Sequence, residues 1–279
     1  MAALLFWPMT ACLILAGIHT YLGIHVIRRG VIFVDLALAQ LAALGAGCAL
    51  LFGFDLHDPA AYAFSLGMTL VGALFFALSR RDDDRIPQEA VIGVTYAVSA
   101  AAGIIVLDQA PGGAEHIRSL LVGNILTVSS GEILRTALLY AAVGGFHWFF
   151  RRELMALSFD PKAAAQRGLR VRLWDFLFYV TFGLVVTSSV ALAGILLVFS
   201  YLIVPALLSL FFADTVARRL IIGWGLGVFA SATGLFGSAF WDLPTGASIV
   251  CAFGLLFFGV LIAARLKHDG GGVAPTRSV

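Results

Sequence analysis

Residues 173–213 read LWDFLFYVTFGLVVTSSVALAGILLVFSYLIVPALLSLFFA, a run in which Asp175 is the only charged side chain. A hydrocarbon core about 30 Å thick takes roughly 20 apolar residues per helix, so this run is too long for one crossing. Two spans meeting between Ala191 and Gly194 are expected, with one span and a re-entrant piece as the alternative. Outward from it, similar runs cover roughly 4–27, 31–53, 60–79, 88–107, 132–150, 217–238 and 245–265, each ending at charge, Gly or Pro. The pattern predicts an all-α bundle of about nine transmembrane spans, with eight or ten as the neighbouring counts. Composition agrees, since 61% of the 279 residues are hydrophobic and 12% charged. A soluble domain holds about 45–50% apolar and about 25% charged residues, and a water-soluble fold cannot hide the excess. One transmembrane domain over 1–266 is expected, followed by a Gly-rich, disordered cytoplasmic tail from Lys267 to Val279.

Orientation follows from Lys and Arg, which accumulate in short cytoplasmic loops. If the loop holding Arg28 and Arg29 is inside, strict alternation leaves only Arg118 and Arg135 of the 18 basic residues outside. The N-terminus is therefore expected outside and the C-terminus inside. The outer loops carry Asp55, His57, Asp58, Asp108, Glu115, His116, Glu132 and Asp242, an acidic face that a cationic solute or a basic docking surface would meet first. The first apolar run has no basic region before it and no small-residue cleavage site, unlike a removable signal peptide. Cys12, Cys48 and Cys251 lie inside apolar runs at unrelated spacings and read as packing residues.

There is no GxxxxGK[ST] phosphate loop, GxSxG elbow, HExxH pair or Cys/His metal cluster, so a transport rather than an enzymatic role is expected. The most informative loop is FDPKAAAQRGLRVRL at 159–173. Asp160 reads as an N-cap, Pro161 as the first helical residue and Gly168 as the left-handed residue that closes the C-terminus, with Lys162 and Arg167 between them. A short helix bounded at both ends lies at the membrane surface. It serves either as a structured turn or as a coupling helix, a rigid knob that fits a partner's cleft and passes its motion to the adjoining spans.

DPKAAAQRGLRV resembles the cytoplasmic loop of the zinc, manganese and iron importer permeases of the ABC superfamily. RRGVIFVDLALAQLAALG at 28–45, APGGAEHIRSLLVGNIL at 110–126, LLVFSYLIVPAL at 196–207 and FWDLPTGASIV at 240–250 agree in order and spacing, so the resemblance covers nearly the whole chain. It implies a homodimeric, multi-pass permease in a bacterial inner membrane that moves a divalent metal by alternating access, zinc first, then manganese or iron. ATP-binding subunits lie beneath, a periplasmic or extracellular solute-binding protein above, and hydrolysis belongs to the separate subunit. The residues at 160–168 would be the coupling helix. No resident cofactor and no nucleic-acid partner is implied.

In the family's second helix an Asp and a His one turn apart ligate the metal. Aligned on Phe33, Ala37, Leu38 and Gly45, those positions are Leu36 and Gln40 here. Polar groups in hydrocarbon are costly and face a bundle interior or a cavity, which leaves His19, His25, Asp35 and Gln40 as candidate path-lining residues. Each has a simpler reading: the histidines as hydrogen-bonded packing groups, and Asp35 as a partner of the Arg28–Arg29 cluster. Pro205, inside an apolar span, is a hinge candidate. His147, beside Trp148, reads as interfacial; Gly67, Gly72, Gly223, Gly225 and Gly227 read as close-packing sites. Residues 111–128 read as a short outer helix on the surface that would receive the binding protein. The competing readings are an ion-coupled secondary carrier and a permease for a chelated metal.

Overall fold

The structure, a computed structural model, describes residues 2–56, 58–80, 86–110, 121, 123 and 125–270. Helices run over Ala2–Arg29 (α1), Val34–Leu51 (α2), Pro59–Ser79 (α3), Gln88–Asp108 (α4), Ser130–Phe149 (α5), Arg151–Phe159 (α6), Pro161–Gln166 (α7), Val171–Ala193 (α8), Ile195–Ser209 (α9), Val216–Trp241 (α10) and Thr245–Gly270 (α11). Among the described residues there is no strand. Every one of the nine apolar stretches becomes a helix. Among the described residues seven helices are long and apolar enough to cross a membrane, and α5 with α6 would make an eighth, although α6 leaves α5 at 77°. At 1.5 Å per residue the 15 residues of α9 reach only about 22 Å, which is why the expected count of nine is not met by helix length alone.

The break inside the opening run falls at Gly194, whose φ of 78° only glycine adopts readily. α11 continues as helix to Gly270, into the stretch expected to be tail from Lys267, because nothing before Gly270 stops a helix. Residues 271–279 lie outside the described residues, as do His57, Glu115, His116, Arg118 and most of the expected outer helix at 111–128. What is described of that segment includes a single 3-10 turn, Ile125–Thr127.

The helices form two groups. α2 packs on α3 and α4, and α1 packs on α9 and α10, with α11 against α9 and α10. α8 lies between them, against α3 and α2 on one side and α5, α6 and α9 on the other. α1, α2 and α8 are mostly buried. α4 and α11 instead expose Val94, Val98, Ile105, Leu255, Phe258 and Ile262. Apolar faces of this extent are stable against lipid and not against water, so the chain is a multi-pass membrane protein. Gly223 and Gly227 let α10 approach Thr20 and Ala16 of α1, and Gly72 meets Leu41; Gly67 and Gly225 face open space. Three of the five expected packing glycines therefore pack.

Candidate functional site

The short helix α7 is built from its caps. Asp160 accepts from the Ala163 N–H at 2.9 Å, and Pro161 occupies the first helical position without an N–H to leave orphaned. At the other end the Gly168 N–H donates to the Ala165 carbonyl and the Leu169 N–H to the Ala164 carbonyl, with Gly168 at φ 83°. This paired closure needs a left-handed residue after the Arg167 cap, which is why glycine stands there. α7 is thus a single capped turn whose Lys162 and Arg167 are exposed and whose Ala164 is buried.

Behind it lies a polar network. Asp175, at the start of α8, is fully buried and bridges Arg29 at the end of α1 and Arg80 after α3. The Arg29 Nε donates to Ser158 Oγ of α6 at 2.9 Å, its guanidinium lies 3.9 Å from the centre of the Phe178 ring, and its Nη2 has no hydrogen-bond partner among the described residues. His25 shares the same hydroxyl through Nδ1 at 2.8 Å, while its buried Nε2 has no hydrogen-bond partner among the described residues. The ring of His25 lies 4.7 Å from Tyr21 and 6.2 Å from His147. His147 meets Thr181 Oγ1 at 2.9 Å and is buried, so the interfacial expectation for it is corrected: it faces the bundle, where Thr181 and Tyr21 satisfy both nitrogens.

Higher on α8, three consecutive hydroxyls reach three different helices. Thr187 meets Thr69 of α3 at 2.9 Å, Ser188 meets Thr136 of α5 at 3.5 Å, and Ser189 meets His19 Nε2 of α1 at 3.1 Å and Tyr140 of α5. His19 also contacts the Leu15 carbonyl through Nδ1 at 2.9 Å. Asp35 is buried but not in the arginine cluster; its Oδ1 accepts from the Leu36 N–H at 2.8 Å, and Arg29 is taken by Asp175 instead. Gln40 is half-buried and makes no hydrogen bond among the described residues. The hydrogen-bond partners of His19 and His25 come from their own helix and from α6 and α8, whereas Asp35 and Gln40 sit on α2, which packs on α3 and α4. One chain therefore does not bring the four together. No three His, Cys, Asp or Glu side chains cluster as a metal site among the described residues. α9 runs through Pro205, which cannot donate to the Tyr201 carbonyl and lies beside Gly223 and Gly227 of α10.

Sequence reasoning missed Asp175, Ser158 and the TSS run at 187–189. Asp175 was findable, as the only charge in its apolar run; Ser158 was not, because its partners lie more than a hundred residues away.

A model of the ABC 3 transport family matches residues 1–264. The chain belongs to the ABC 3 transport family. Similar family proteins include the manganese transport system membrane protein MntC of Listeria innocua, 26% identical over 240 residues that cover 85% of this chain and 82% of that one. The manganese import system permease protein ScaB of Streptococcus parasanguinis is 25% identical over 84% of this chain and 81% of its own. A probable iron transport system membrane protein of Haemophilus influenzae is 24% identical over 67% and 69%. Among solved structures, PsaBC from Streptococcus pneumoniae in complex with Fab superposes with a TM-score of 0.77 at 23% identity, covering 92% of this chain and 90% of that one. That likeness establishes the family's helical fold for this chain.

If Asp175 is the tie the geometry describes, Asp175→Asn leaves Arg29 buried beside an uncharged amide and costs about 3 kcal/mol of stability. Arg80→Gln costs less, because the Arg80 side chain is 20% exposed and water can take over its role. Thermal unfolding of both variants in detergent checks the order; equal losses would contradict it.

Proposed function

We propose that this chain is the membrane-spanning subunit of an ATP-dependent importer for a divalent metal cation, working as a homodimer in a bacterial inner membrane. The carrying observation is the family match over 1–264, together with relatives named for manganese and iron transport. Those names favour manganese over zinc, which the sequence put first. Neither α7 nor any sequence motif supplies nucleotide chemistry, so hydrolysis belongs to separate ATP-binding subunits, and a solute-binding protein delivers the cation on the outer side. The whole of 1–266 acts as one permease domain that alternates between inward and outward access, with Pro205 as a hinge beside the close α9–α10 contact.

Nine crossings, with α9 completed by the residues after Ser209, place the N-terminus outside and the C-terminus inside. In support, Arg29, Arg80 and the start of α8 meet at one end of the bundle, as a shared cytoplasmic face requires. Tags on the two ends are expected to be reached from opposite sides in intact cells, and reaching both from one side would refute the count.

α7, from Asp160 to Gly168, is the coupling helix of this reading. Gly168→Val forces a β-branched residue to positive φ, so it should abolish transport while the protein still inserts. Deleting Pro161–Gly168 should also lose the ATP-binding subunit on purification, and retention at the wild-type level would sink the assignment.

His19, His25, Asp35 and Gln40 are proposed to line the path at the dimer centre. Neutral imidazole suits zinc or iron, whereas the Asp35 carboxylate and the Gln40 amide oxygen suit the harder manganese ion. His19→Ala or His25→Ala is therefore expected to cut zinc or iron uptake at least tenfold more than Gln40→Ala, roughly 1.4 kcal/mol. Intact uptake in both histidine variants would make these rings packing groups and favour a chelated cargo.

A further inference from the structure

A cleft of about 380 Å³ opens between α3, α7 and α8, lined by Arg80, Ala165, Arg170, Val171 and Arg172. Among the described residues three of the five that line it are arginines, and neither Arg170 nor Arg172 has a carboxylate partner there, since both ion pairs among those residues belong to Asp175. Like charges so grouped repel one another and hold a positive potential that an anion relieves. The N-terminus of α8 opens at the same place, and its unpaired N–H groups add to that potential. Ala165 gives the cleft a wall from α7 itself, so whatever docks on α7 meets the arginines.

We infer that this cleft receives a carboxylate side chain of the ATP-binding subunit, seated beside α7. The inference rests on the coupling-helix reading and names the chemistry of its contact. Guanidinium groups take carboxylates in paired hydrogen bonds, a geometry that fixes orientation as well as charge. The contact also reaches inward. Arg80 lines the cleft and holds Asp175 with Nη1, and Asp175 holds Arg29, which donates to Ser158. A carboxylate arriving at Arg80 competes with Asp175 for it, so movement of the ATP-binding subunit would alter an ion network that joins α1, α3, α6 and α8.

The full chain, co-expressed with its ATP-binding subunit and purified on a tag it carries, tests this in detergent mixed with phosphatidylcholine. Arg170→Glu with Arg172→Glu is expected to lower the retained ATP-binding subunit about tenfold at equal membrane yield. Arg170→Lys with Arg172→Lys should keep most of it, and Arg151→Glu, on the same cytoplasmic side but outside the cleft, should keep all of it. Wild-type retention should fall with rising salt. Equal retention by the doubly reversed chain overturns the inference, as does a loss as large with Arg151→Glu. A loss that appears only when phosphatidylglycerol is present overturns it in favour of a lipid headgroup. Should the wild-type chain itself fail to retain the ATP-binding subunit, the coupling-helix reading falls, and the inference with it.

Discussion

Asp175 is the charge around which this bundle is arranged. A carboxylate with no exposed surface is tolerable only if cations meet it, and the two that do come from opposite halves of the fold, Arg29 from α1 and Arg80 from the end of α3. The ion triad therefore fixes where α8 stands relative to both helix groups. The interaction also sets depth: it lies at the entry of α8, where the chain leaves the capped α7, so the loop and the buried core share a fixed point.

Further along α8, Thr187 and Ser189 repeat the arrangement with neutral groups, one reaching α3 and the other α1 and α5. Between lipid-exposed helices apolar burial gives little selectivity, because lipid tails are as apolar as leucine. Hydrogen bonds and small-residue contacts then decide which helices are neighbours. The close approach of α10 to α1 at Gly223 and Gly227 is the second of these devices.

The departure at Leu36 and Gln40 takes on a definite form in three dimensions. Asp35, one residue early, turns its carboxylate to its own helix start, and Gln40 makes no hydrogen bond among the described residues. The imidazoles are engaged elsewhere, His19 with Ser189 and His25 with Ser158. Within one chain the buried polar contacts of His19 and His25 run along α1, α6 and α8 rather than along α2.

Hydrophobic runs determined the helices, because residues that cannot face water must face lipid or one another, and that requirement is local. All nine runs were legible for this reason, as were the Asp160, Pro161 and Gly168 signals of α7, which depend on bonds within a few residues. His147 was misread, since its neighbour Trp148 is exposed while its own ring turns the other way, a difference of helix face that needs the packing partner to settle. Only the tertiary structure decided that Asp175 answers Arg29 and Arg80, that Ser158 joins His25 to Arg29, and that Arg170 and Arg172 border a cleft with Arg80. Each of these joins residues far apart in the chain, and pairing of that kind is set by which helix faces meet, which no local pattern encodes.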